Sequence, residues 1–137
     1  MNKEFVPYEE AFALKELDFN EPCLGYYLCR NSAFGINDLE ITTERIDLIG
    51  YDYASCVVPT FSQAFRWFRE KYFMEGFVFM VDCVNKAYEY HIDFTDREDK
   101  ELYTFEHIPQ CFVSENHFSK YPEAELACLN KLIEIVK

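Results

Sequence analysis

Two segments of this chain open as helices in the same way, Val6-Pro7-Tyr8-Glu9-Glu10-Ala11 and Val58-Pro59-Thr60-Phe61-Ser62-Gln63-Ala64, and a run of apolar, strand-like residues follows each. Proline suits the first turn of a helix, where its missing N–H costs nothing. The pattern organises the chain as two helix-plus-strand segments.

The first helix is expected from Pro7 to about Leu17, with Glu9 and Glu10 at the positive end of its dipole. Pro22 ends this region by disfavouring helical geometry in the residue before it. Leu24 to Cys29 then reads as a strand. Leu39 to Thr43 and Ile46 to Tyr51 are two further strand candidates, of which at least one is expected. Thr60-x-x-Gln63 is a capping-box pattern. Phe61, Ala64, Phe65, Phe68 and Tyr72 recur at spacings of three and four, which predicts an aromatic ridge, with Trp67 on its flank. Gly76 is expected to end this helix. Phe77 to Val81 reads as a central strand buried on both faces. Asn85-Lys86 reads as a two-residue hairpin loop. Tyr88, Tyr90, Ile92 and Phe94 alternate with Glu89, His91 and Asp93, the period of a half-buried strand. Gln110 to Val113 is a short further strand. The last helix runs from Tyr121 to about Val136, with Leu126, Leu129, Ile133 and Val136 along one side and Cys128, Leu132 and Ile135 widening the stripe. Such a helix is either wedged between elements or presents its outer edge to a partner.

These elements make an α+β domain over residues 1–137. An antiparallel sheet of about 4–5 strands is expected with three helices, arranged as an αββ duplication closed by the C-terminal helix. With 137 residues, half of them apolar, the chain can bury a core without disulfide or metal support. Six cysteines fall mostly among apolar residues, where a reduced thiol packs as a small hydrophobe.

The net charge of −12 is spread along the whole length. It opposes attraction to nucleic-acid phosphates and anionic lipid surfaces. Neither direct nucleic-acid binding nor membrane association is expected. The Met-Asn-Lys-Glu start lacks the apolar segment of a signal peptide, and no apolar run approaches the roughly 18 residues of a membrane span. A cytoplasmic location follows as the expectation.

Candidate chemistry is sparse. Glu89, His91 and Asp93 share one strand face, a row able to supply acid–base groups and also the ordinary look of a wet strand face. His107, Cys111 and His117 have zinc-compatible donors at a spacing that matches no standard module, so no metal is assigned. Asp93, Asp96, Asp99 and Glu101 lack the spacing and central glycine of a calcium loop. No phosphate loop, dinucleotide fingerprint or nucleophile elbow occurs, and no cofactor is expected.

The stretches Phe5 to Leu17, Glu21 to Tyr27, Gln63 to Tyr72 and Glu123 to Lys137, including Val6-Pro7-Tyr8-Glu9-Glu10-Ala11-Phe12 and Trp67-Phe68-Arg69-Glu70-Lys71-Tyr72, resemble a family of small uncharacterised proteins of gut Bacteroidetes and their prophage-like elements. The resemblance implies a mobile-element or accessory context and carries no activity. Three functions compete. The first is a non-enzymatic module that binds a protein partner or forms a homo-oligomer through Trp67, Leu126, Leu129, Ile133 and Val136. The second is an acidic nucleic-acid mimic that inhibits a DNA-binding protein. The third is a small hydrolase or ligand-binding domain that uses the Glu89, His91 and Asp93 face.

Overall fold

The computed structural model describes residues 2–27, 39–47, 55–94 and 111–137. After a short 3-10 turn at Asn2–Glu4, the elements are α1 (Tyr8–Glu16), β1 (Cys23–Tyr27), β2 (Leu39–Ile46), β3 (Cys56–Val58), α2 (Phe61–Tyr72), β4 (Met74–Asp82), β5 (Ala87–Phe94), β6 (Cys111–Val113) and α3 (Tyr121–Val136). The class is α+β with three α-helices. Instead of one sheet of 4–5 strands, the described residues form two antiparallel sheets of three strands, in the orders β2-β1-β3 and β4-β5-β6. The chain divides into two compact units, Met1–Gln63 with Lys137, and Ala64–Val136.

Within the first unit, α1 begins after Pro7, which is extended (φ −60°, ψ 162°) and therefore caps the helix from outside it. The helix ends by a backbone device. Asp18 is left-handed (φ 66°), and the N–H groups of Asp18 and Phe19 donate to the carbonyls of Lys15 (3.0 Å) and Leu14 (2.9 Å). This is the Schellman arrangement, with aspartate where glycine is usual. Its apolar contact pairs positions occupied here by Leu14 and Phe19, both buried. β1 runs down the middle of its sheet, paired with β2 on one side and β3 on the other. Gly25 is required there, since a Cβ would lie 2.8 Å from a Phe5 ring carbon and 3.0 Å from the Val58 carbonyl oxygen. α1 packs on β3, whose three residues are all buried. The sequence reading missed β3, because three residues before a proline carry no readable period. β2 spans Leu39 to Ile46 as one strand; Leu28, Cys29 and the residues 48–51 of the second strand candidate lie outside the described residues.

The capping box at the start of α2 forms by half. Thr60 Oγ1 accepts from the Gln63 N–H at 3.2 Å. The Gln63 side chain does not turn back to the cap. It donates to the Glu21 carboxylate (3.3 Å) and the Pro22 carbonyl (3.2 Å), tying the helix start to the segment before β1.

In the second unit, α2 stops at Tyr72 and Phe73 takes the left-handed turn (φ 58°), so Gly76 is a strand residue and not a helix terminator. Its role is close approach: a Cβ there would lie 2.9 Å from Cys128 Sγ and 3.0 Å from Leu132 Cδ1. α3 lies across β4 and β5 and buries Ala124, Cys128, Leu129, Leu132 and Ile133. Its broad stripe is thus used inside the fold. β4 is not a central strand buried on both faces. Among the described residues it borders its sheet, and Phe77, Met80 and Val81 are exposed. The apolar run gave no sign of this, because hydrophobicity alone does not state how many neighbours a strand has. The β4–β5 connection is a four-residue turn, Cys83 to Lys86, and not the two-residue loop expected at Asn85-Lys86. Asp82 organises it by accepting from the N–H groups of Val84 (2.9 Å) and Asn85 (3.1 Å) and from the Asn85 amide (2.7 Å).

In each unit a helix is followed by three strands, and α3 closes the second; the central strand comes first in chain order in one sheet (β1) and second in the other (β5). No helix among the described residues is long and apolar enough to cross a membrane. The Gly25 contact makes a direct prediction. Gly25→Ala is expected to cost about 1–3 kcal/mol by overpacking, read as a lower denaturant midpoint at an unchanged m-value.

Candidate functional site

Alternation along β4 and β5 sorts their side chains onto two faces. Gly76 meets α3, which places its register partner Ile92 on the helix-covered face together with Val78 and Tyr90. Ile92 is fully buried. Phe77, Phe79, Glu89, His91 and Asp93 therefore occupy the opposite face. Phe77 faces His91 across the ladder, Phe79 faces Glu89, and Glu75 faces Asp93. β6 adds Val113 beside His91 and Cys111 beside Asp93.

Aromatic rings centre this face. The Phe77 and Phe79 centroids lie 5.9 Å apart, and the His91 ring stands edge-on to Phe79 at 4.5 Å and tilted to Phe77 at 5.6 Å. Phe77 is 39% exposed and Val113 47%. Beside the rings, the Glu89 carboxylate engages two imidazoles: Oε1 lies 3.0 Å from His91 Nε2, and Oε2 lies 3.3 Å from His117 Nε2. The backbone brings His117 there. Phe118 exchanges two 2.8 Å hydrogen bonds with Tyr88, Ser114 N–H donates to the Tyr90 carbonyl, and Ser114 Oγ accepts from the Tyr90 N–H. Residues 115–117 thus bulge out of a ladder that continues along β5. Ser114 is buried and turned into this ladder.

Of the row expected on β5, Glu89 and His91 are joined. Asp93 is separate and makes no polar contact among the described residues. His117 had been grouped with His107 and Cys111; it pairs with Glu89 instead, Cys111 is exposed on β6, and His107 lies outside the described residues, as do Asp96, Asp99 and Glu101. Among the described residues no three His, Cys, Asp or Glu side chains are set to hold a metal ion. No sequence spacing signalled the Glu89–His117 pair, which depends on the Phe118–Tyr88 bridge.

The residues expected to form an interaction edge are mostly interior. Trp67 (6% exposed), Leu129 and Ile133 are buried, while Leu126 and Val136 are half-buried. Trp67 stacks edge-on with Phe68 (5.1 Å) and Tyr72 (5.4 Å), and the Lys71 ammonium lies 4.8 Å from its ring centre. Helical geometry placed Trp67 on the flank of the stripe, where Phe68, Lys71 and Tyr72 of its own helix pack against the indole.

The thiols divide the same way. Burial pushes Cys23 up to about 12, Cys56 to about 11 and Cys128 to about 12, whereas Cys83 and Cys111 are exposed. Hydrogen bonds from Asn85 and Val84 hold the Asp82 carboxyl below the usual carboxylate range.

Comparison with protein-family models, with curated proteins and with solved structures finds no match.

Two measurements check this chemistry. With a maleimide at neutral pH, Cys83 and Cys111 are expected to react in the native protein because they are exposed, and Cys23, Cys56 and Cys128 only after unfolding, because burial both shields these three thiols and holds them protonated. The Asp82 turn is formed above the ordinary carboxylate range and its contribution is lost as pH falls through the depressed value of the folded state. The Val84 and Asn85 amide resonances should therefore move on the acid side of that range, and Asp82→Asn should abolish the movement.

Proposed function

We propose that this chain is a non-enzymatic protein-interaction module, and that its contact surface is the face of the β4-β5-β6 sheet that carries Phe77, Phe79, His91 and Val113. The observation that carries this reading is the exposure of Phe77 and Val113 around stacked rings, on the face opposite the one α3 covers. Exposed aromatic surface with a polar rim is the usual make-up of a protein contact site. The Glu89–His91–His117 cluster fits the same role. Its carboxylate is satisfied by two imidazoles, so the face presents a fixed polar edge beside the rings. A mobile-element or accessory context, as implied by the family resemblance, accords with a protein that acts by binding. An acidic nucleic-acid mimic would need carboxylates in phosphate-like rows, and the centre of this face is aromatic.

The test is the double variant Phe77→Thr/Val113→Thr, which retains β-propensity and removes the apolar surface. Substitutions at exposed positions usually shift stability by no more than about 0.5 kcal/mol, so the melting temperature should hardly change. Binding to the partner recovered by wild-type bait, or self-association measured by light scattering, should fall at least about tenfold, as expected when anchor residues of a contact are removed. Unchanged binding would overturn the assignment of this face.

A further inference from the structure

The charge around the face says what it fits. Glu75 and Asp93 sit directly opposite each other across β4 and β5, and like charges in that position destabilise a sheet. Arg69 lies 3.5 Å from Glu75 and offsets part of this. Asp93 is exposed and has no polar partner among the described residues. At the other end of the same face the β4 register shift sets Asp82 opposite Ala87, next to Glu89. The apolar centre is thus bounded by carboxylates at both ends, Glu75 and Asp93 at one and Asp82 and Glu89 at the other. Arg69, His91 and His117 are the only bases whose contacts place them with these acids among the described residues.

Resting on the interaction reading above, we infer that the occupant of this face is a cationic amphipathic segment of a partner protein, with apolar residues over Phe77, Phe79 and Val113 and Lys or Arg side chains reaching Glu75 and Asp93, the two acids of this face that neither the Asp82 turn nor the imidazole cluster engages. Electrostatic complementarity selects such a segment and opposes an acidic one. A second copy of this chain fits poorly, since self-docking sets these carboxylates against their own kind on chains of net charge −12. The unfavourable Glu75–Asp93 juxtaposition then has a function, because a bound cation between the two turns repulsion into attraction.

The experiment uses the full chain, labelled with ¹⁵N, and two synthetic probes of 18 residues: a leucine/lysine amphipathic helix and its leucine/glutamate counterpart. The leucine/lysine probe is expected to shift the amides of Phe77, Phe79, His91, Asp93 and Val113. Glu75→Gln/Asp93→Asn should weaken it about fivefold to tenfold, the scale of two exposed charge contacts, and the leucine/glutamate probe should not bind. A change below about twofold in that variant, equal binding of both probes at this face, or no binding of the leucine/lysine probe would overturn the cationic occupant and leave the interaction reading standing. Concentration-dependent shifts of the same amides without a probe would assign the face to a second copy and likewise overturn it. Probe binding that is unaffected by Phe77→Thr/Val113→Thr would overturn both readings.

Discussion

The contact between Gly76 and α3 sets the orientation of the second unit's sheet. A strand has two faces, and a hydrophobic run such as Phe77 to Val81 does not say which is interior. The missing side chain at Gly76 lets Cys128 and Leu132 come within about van der Waals reach of the strand backbone. Once the helix is seated there, alternation does the rest: Val78, Tyr90 and Ile92 turn inward, and Phe77, Phe79, His91 and Asp93 turn outward. A slip of one residue would bury the Glu89–His91 pair under the helix and expel Ile92. The polar cluster and the aromatic surface are thus consequences of one close approach.

The sequence was most legible where local signals stood alone. The alternation over Tyr88 to Phe94 reappears as β5, the stripe after Pro122 as α3, and the Thr60 cap as the start of α2. It was least legible where a long-range partner decides. Gly76 looked like a helix stop and is a packing glycine, while the real stops, Asp18 and Phe73, are left-handed residues of types that rarely announce one. One sheet was expected and two formed, because short apolar strands do not encode their neighbours. The candidate site divided likewise. Glu89 and His91 were visible as a row on one strand face, but His117 reached Glu89 only through the pairing of Phe118 with Tyr88, 30 residues apart in the chain. The interaction edge was expected on α3 and Trp67 from their excess of apolar residues; Trp67, Leu129 and Ile133 are interior, and Leu126 and Val136 are half-buried.

Acidity has different meanings in different parts of the molecule. Asp82 is used up in organising a turn, and Glu89 in holding two imidazoles. Among the described residues Asp93 is engaged in neither way. The chain's negative charge is therefore not a uniform coat, and its sites differ in whether folding already engages them.

β4 has one ladder neighbour among the described residues, so its outer backbone edge is a template for further strand pairing. Pairing two copies antiparallel about the middle of its apolar run would set Phe77 opposite Met80 and Val78 opposite Phe79. The same register sets Glu75 opposite Asp82 at both ends. The strand best suited to propagate a sheet thus carries, at its two ends, the charges that penalise its own repetition, and this edge is protected against growing into an aggregate by the residues that bound it.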